Sequence, residues 1–169
     1  MVTIRAENLS DLPGVRRVNE LAFGGSTEAD LVDALRKAAD PYISLVAIEN
    51  ERIVGHIFFS PVKIEPQETF CRAMALAPMA VLPDYQNRGI GSLLVQEGMK
   101  QCAGLGYEFI VVVGHPEYYP RFGFVPAHQM GLRCKYPVPD DVFMVVELKP
   151  GALTGKQALV LYHPEFDRV

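Results

Sequence analysis

Apolar and polar positions change period several times along this chain, and each change predicts an element. Thr3 to Ala6 is a short strand, after which Leu12, Val15, Val18 and Ala22 recur at helical spacing behind two capping candidates, Asn8 and Ser10. The pair Gly24-Gly25 predicts the end of that helix. Thr27 is placed to cap a second helix, in which Leu31, Leu35 and Ala38 share a face that stops before Asp40-Pro41. Ile43 to Glu49 and Arg52 to Ile64 predict two strands of a hairpin around the polar turn Glu49-Asn50-Glu51, with Gly55 marking a bulge. Beyond the loop Glu65 to Thr69, the nearly uncharged run Met74 to Leu82 is a strand closed by Pro83, which cannot continue a central ladder. Ile90, Leu93, Leu94, Glu97, Gly98 and Cys102 then form a helical stripe that breaks at Gly104-Leu105-Gly106, and Phe109 to Val113 and Val142 to Leu148 are further strands. This alternation predicts a mixed sheet covered by helices, with the strands at Met74 and Phe109 made parallel neighbours by a right-handed helical crossover.

The densest chemistry lies where the Met74 strand turns into the Ile90 helix, at Gln86-Asn87-Arg88-Gly89-Ile90-Gly91-Ser92. Backbone amides at a helix start lack intrahelical partners, glycines leave them uncovered, and the helix dipole adds positive charge, so the turn suits an anion such as phosphate. Gly89 and Gly91 also satisfy any tight strand-to-helix turn. Arg88 serves equally as a phosphate partner or a solvated surface charge.

A second element follows about 30 residues on, Tyr119-Pro120-Arg121-Phe122-Gly123-Phe124, again after an apolar strand. Together the two motifs resemble the GNAT superfamily of N-acetyltransferases. Gln86 to Gly91 matches its Gln/Arg-x-x-Gly-x-Gly/Ala acetyl-CoA signature, preceded by the family's Ala-Val-x-Pro strand end, and Tyr119 to Phe124 matches its Tyr-x-x-x-Gly-Phe element. The stretch Gly114 to Phe124 is similar to a bacterial subgroup of acetyltransferases, most of unassigned substrate. The likeness covers most of the chain, leaving the last twenty or so residues unsupported.

The resemblance implies a mixed α/β acyl-CoA N-acyltransferase fold: a central, mostly antiparallel sheet with two splayed parallel strands and helices on both faces. It implies acetyl-CoA as cosubstrate and a primary amine of a small molecule or protein as acceptor. Backbone groups of Met79, Ala80 and Val81 would hold the pantetheine arm, and Gln86, Asn87, Arg88, Gly89, Ile90, Gly91 and Ser92 the pyrophosphate. Tyr119 would protonate the departing CoA sulfur, since a phenol with a reference pKa of about 10 keeps its proton at neutral pH. The acceptor pocket would draw on Phe23 to Asp30 and Met130 to Tyr136, and a homodimer is compatible with the family. The base is where the match thins. Many relatives carry a glutamate on one of the splayed strands, yet Met74 to Val81 and Phe109 to Val113 hold no carboxylate, leaving Glu108, Glu117, His115, the remoter Glu68 or a water chain. A non-catalytic acyl-CoA-binding module is therefore the rival, and a nucleotide-binding domain a weaker third, lacking the lysine and hydroxyl of a Walker loop.

Composition narrows the partners. With 169 residues, 49% hydrophobic and 21% charged, the chain is expected to form a single domain spanning 1–169. A net charge of −4 without any Lys/Arg run argues against nucleic acid. Arg5 and Glu7 interrupt the start before a signal-peptide core develops, and the apolar runs are too short to cross a bilayer, so a cytoplasmic protein without membrane contact is expected. Cys71, Cys102 and Cys134 are odd in number and widely spaced, and His56, His128 and His163 lack ligand spacing, so reduced thiols and no metal are expected; Cys71 is the best-placed thiol for a nucleophile but has no Cys-His arrangement around it, so a buried cysteine is expected there.

Overall fold

The computed structural model describes residues 1–66 and 72–169; Glu68 and Cys71 lie outside the described residues. The elements in chain order are β1 (Thr3–Ala6), α1 (Leu12–Phe23), α2 (Thr27–Ala38), β2 (Ile43–Glu49), β3 (Arg52–Pro61), β4 (Lys63–Glu65), β5 (Ala73–Val81), α3 (Ile90–Gly104), β6 (Phe109–Val113), β7 (Val125–Pro126), β8 (Leu132–Cys134), β9 (Phe143–Glu147) and β10 (Ala158–Leu161). They form two compact units. The first comprises Met1–Ser60, Ala77–Gly98 and Pro164–Val169, the second Pro61–Leu76 and Met99–His163.

In the first unit the strand order is β1-β2-β3-β5. β1 pairs antiparallel with β2 from Thr3↔Ile48 to Ala6↔Leu45, and β2 pairs antiparallel with β3 from Ile43↔Phe59 to Glu49↔Arg52. The hairpin closes through Asn50 and Glu51, both left-handed at φ 51 and 62, the two-residue turn whose twist matches its strands. The expected bulge is present: the register shifts between Ala47 and Ile48, which face Gly55 and Ile53 and leave Val54 as the extra residue. Val15 and Val18 of α1, Leu31, Val32 and Leu35 of α2, and Leu45, Ile57, Phe58, Phe59, Leu94 and Val95 make the core.

Local chemistry accounts for the helix ends. Asn8 caps a single 3-10 turn, Leu9–Asp11, in a full capping box: Ser10 N–H donates to Asn8 Oδ1 at 3.1 Å and Asn8 N–H to Asp11 Oδ2 at 2.8 Å. Gly24 ends α1 in the left-handed region at φ 75. Thr27 is not a cap but the first residue of α2, behind Ser26, whose side chain makes no capping bond. A ladder of ion pairs joins the helices to the end of β1. Arg36 binds Glu7 through two bonds of 2.6 and 3.0 Å and Asp33 at 2.9 Å, and Arg16 binds Asp33 and Asp30, each at 2.8 Å.

In the second unit the order is β5-β6-β9-β7, beside a three-stranded sheet β4-β10-β8. β5 and β6 are parallel neighbours, as the crossover argument expects, but their ladder has only the rungs Ala73↔Phe109, Met74↔Ile110 and Ala75↔Val111. β6 keeps its antiparallel ladder to β9 through Val113↔Phe143, while β5 continues as strand to Val81. The expected strand Arg52 to Ile64 is in fact two. After Pro61, the Val62 N–H donates to Ala73 O at 3.1 Å, and Lys63–Glu65 pairs with β10, from Leu161↔Lys63 to Leu159↔Glu65. The tail that the motifs left unsupported is thus structured: Ala158 and Val160 are buried and pair in parallel with β8.

Candidate active site

β5 ends in Met79, Ala80 and Val81, with Ala80 buried and its neighbours half-buried. Leu82 N–H returns to Val54 O at 2.9 Å, and a 3-10 turn, Pro83–Tyr85, carries the chain into the glycine turn. Gln86 turns back: its Nε2 donates to Val81 O at 3.0 Å and ties the strand end to the turn. Asn87 and Gly89 are both left-handed, at φ 63 and 83, and both exposed. Asparagine tolerates that region and glycine is indifferent to it. Nothing lies within 4 Å of where a Gly89 Cβ would stand. The first bond into α3 is Leu93 N–H to Gly89 O at 3.1 Å, so the amides of Arg88, Gly89, Ile90 and Gly91 precede the helical ladder. A 15-residue helix behind an open, left-handed turn offers amides ahead of its ladder and the positive end of its dipole, the chemistry that suits an anion.

Two features of this turn are not legible in the motif. Gly55 on β3 lets α3 sit close, because a Cβ there would be 3.1 Å from Leu94 Cδ1 and 3.2 Å from Ile90 Cγ2. Arg88 is not simply solvated: its guanidinium stacks over the Tyr85 ring at 5.0 Å and approaches Glu49 Oε2 at 3.8 Å. Ile90 is buried and anchors the helix start, and Ser92 is half-buried in its first turn.

Tyr119 opens a 3-10 turn, Tyr119–Phe122, in the second unit, closed by Gly123 in the left-handed region at φ 96. Its buried ring meets Tyr118 edge-on at 5.1 Å and Phe124 at 5.5 Å, with Phe122 at 6.4 Å. Burial, reinforced by the neighbouring Tyr118, pushes the Tyr119 hydroxyl pKa well above the ordinary phenol value. The phenol therefore keeps its proton throughout the neutral range.

The remaining candidates separate clearly. His115 and Glu117 are exposed on the loop leading to Tyr119. Glu108 stands before β6, so about 20 Å of extended chain separates it from Gly114, and its Oε1 lies 3.6 Å from Lys149 Nζ. Asp30 and Asp33 are neutralised by Arg16 and Arg36, which favours their structural role over recognition of a cationic acceptor. Phe23, at the end of α1, is exposed; of the second acceptor segment, Leu132 is buried in β8 and Tyr136 packs edge-on to Tyr162 at 5.9 Å. Cys102 is buried, which raises its pKa to about 12 and removes it as a nucleophile. His56 is a core residue: Asn19 Nδ2 lies 3.1 Å from its Nδ1 and Ser44 Oγ 2.8 Å from its Nε2.

A strand end, a left-handed turn and an open helix start have the chemistry that suits an anionic ligand. A family profile described as Acetyltransferase (GNAT) domain matches residues 3–127. The chain is 36% identical over 166 residues to an uncharacterized N-acetyltransferase, YhbS, of Escherichia coli K12, covering 98% of each. The protein belongs to the GNAT acetyltransferase family. Its fold matches the 1.55 Å crystal structure of E. coli YhbS in complex with CoA at a TM-score of 0.91, with 34% identity over 98% of this chain and 92% of that one. It also matches a GNAT family acetyltransferase from Brucella melitensis in complex with acetyl-CoA, at a TM-score of 0.80 with 35% identity and 99% coverage of both chains. The family and fold implied by the two motifs are those found.

Proposed function

We propose that this chain is an acetyl-CoA-dependent N-acetyltransferase that moves the acetyl group directly, in a ternary complex, to a primary amine of a small molecule or protein. The observation that carries the reading is the open turn at Asn87 and Gly89 ahead of α3. Amides at such a helix start suit phosphate groups, and relatives matching nearly the whole chain were crystallised with CoA and acetyl-CoA. In this reading the amides from Asn87 to Ser92 hold the pyrophosphate, with Arg88 turning from Glu49 to supplement them. Gln86 secures the strand end, and backbone groups of Met79, Ala80 and Val81 align the pantetheine arm. When bound, acetyl-CoA supplies an acetyl group activated as a thioester.

Two chemical demands fall on the protein. The acceptor must be neutral to attack, since an alkylammonium has a reference pKa of about 10.4, so the site binds the minor free amine or passes its proton outward. The departing sulfur needs a proton, which Tyr119 gives up in this reading, and the proton that the amine nitrogen sheds on becoming an amide restores the phenol. A fixed strand amide facing the thioester oxygen contributes about 3 kcal/mol of transition-state stabilisation in comparable sites. No helix among the described residues is long and apolar enough to cross a membrane. In this reading residues 1–169 act as one enzyme domain in the cytoplasm.

The test is thiol release from acetyl-CoA against a panel of amines, for the wild type and Tyr119→Phe. Turnover on at least one amine, lowered at least about 100-fold in the variant, is expected. Tight CoA binding with no turnover on any amine would replace this reading with a non-catalytic acyl-CoA-binding module. Calorimetric preference for ATP or NAD over CoA would overturn both.

A further inference from the structure

The end of β6 holds a glycine that the mechanism leaves unused. Gly114 follows Val113, and its φ lies outside the left-handed region, so the backbone there does not call for glycine. The neighbourhood does. A Cβ at this position would stand 3.1 Å from Tyr119 Cδ2 and 3.4 Å from Cζ, with Cε2 closer still. The sharpest clash thus falls on the half of the ring nearer its hydroxyl.

Neither partner is free to retreat. Gly114 N–H donates to Val142 O at 2.9 Å, which pins the glycine to the chain entering β9. The next carbonyl, His115 O, accepts from Tyr118 N–H at 3.1 Å and Tyr119 N–H at 3.3 Å, so the turn carrying the phenol is tied to the same short segment. Tyr118, Phe122 and Phe124 pack around the ring. An added methyl group can be relieved only by sliding the ring at least about 1 Å, to the ordinary carbon separation of about 3.5–4.0 Å.

We propose that Gly114 is a positioning residue for the acetyl transfer: the missing side chain leaves the Tyr119 phenol its place and sets where the hydroxyl is held. This rests on the reading of Tyr119 as the proton donor. Gly114 touches no reacting atom and acts through the tyrosine alone. Misplacing a catalytic group by about 1 Å costs on the order of 100-fold in rate.

The experiment is a kinetic double-mutant cycle of Gly114→Ala and Tyr119→Phe, with acetyl-CoA and the amine that the panel selects. G114A alone should lose about 100-fold in kcat while the KM for acetyl-CoA stays within about twofold; in the Y119F background it should cost less than about threefold. If Y119F turns over at the wild-type rate, the proton-donor reading falls and this inference with it. If Y119F is impaired but G114A is unimpaired, or the two losses multiply, this inference alone is overturned. A stability cycle covers poor folding. Tyr119→Ala empties the space, so G114A should lower the melting temperature far less in that background than by itself, and equal losses would refute the contact.

Discussion

His56 makes this protein acid-sensitive by a route that can be isolated. The side chain is fully buried, and its pKa is lowered from 6.5 to about 3, first by burial and then by the Arg36 charge. Geometry agrees. Asn19 Nδ2 donates one hydrogen to Val15 O at 3.0 Å and the other to His56 Nδ1, which leaves the ring proton on Nε2, donating to Ser44 Oγ at 2.8 Å. A second ring proton would sit at Nδ1, facing the Asn19 donor. A lowered native pKa means that the unfolded chain binds a proton the folded chain refuses. The contribution to stability is therefore complete above 6.5 and is lost as pH falls from there toward 3. At about pH 5 the loss is about 1.5 pKa units, or about 2 kcal/mol. The measurement is urea unfolding at about pH 8 and pH 5 for the wild type and His56→Gln, extrapolated to zero denaturant. Carboxylates shift both proteins alike and cancel in the difference. The wild type should lose about 2 kcal/mol more than the variant between the two conditions. Equal losses would show that His56 titrates normally in the folded protein and would refute the argument.

Three further outcomes are expected. Gly98→Ala, which propensity alone would make stabilising, should cost about 1–3 kcal/mol, because a Cβ there runs into the buried Phe59 ring; an unchanged melting temperature would contradict the packing. Gly89→Ala has open space around it, so its cost comes from the left-handed backbone at φ 83. The unliganded variant can relieve that strain by leaving the left-handed region, and CoA binding must then restore it, so about 1–2 kcal/mol should appear as roughly tenfold weaker binding by calorimetry; unaltered affinity would remove Gly89 from the proposed cradle. Asp11→Asn removes a carboxylate that Arg5 grips at 2.6 and 3.0 Å and whose pKa is lowered by that bond. It should cost about 1–2 kcal/mol at neutral pH, and the difference from wild type should vanish as pH falls through the acid range and Asp11 protonates. A difference independent of pH would assign the cost to packing.

Much of the fold was legible because short-range chemistry forces it. Gly24 and Gly106 stand where the chain turns left-handed, Asn50 lies in a two-residue hairpin turn, and the β6 bounds expected at Phe109 and Val113 are those observed. The family was legible for the same reason: its signature is a local turn whose backbone shape needs glycine at one position and tolerates asparagine at another. The break at Pro61 was not legible, since Lys63–Glu65 leaves the hairpin to pair with β10, almost 100 residues away. Nor was the capping residue of α2, because serine and threonine adjoin there and either can precede a helix.

The order of residues along the chain was enough to determine the strand-turn-helix segment and the aromatic turn at Tyr119, since helix ends, left-handed turns and apolar strands depend on neighbours a few residues apart. It could not say that Gly55 and Gly98 are glycines for the sake of α3 and Phe59, that Gly114 makes room for a phenol, that Arg88 already has a carboxylate beside it, or that His56 is held neutral. Those facts depend on which side chains are packed within 4 Å, most of them across long sequence separations and, for Gly114 and Tyr119, across a turn whose shape the sequence does not state. Such contacts belong to packing, and packing exists only once the chain has folded.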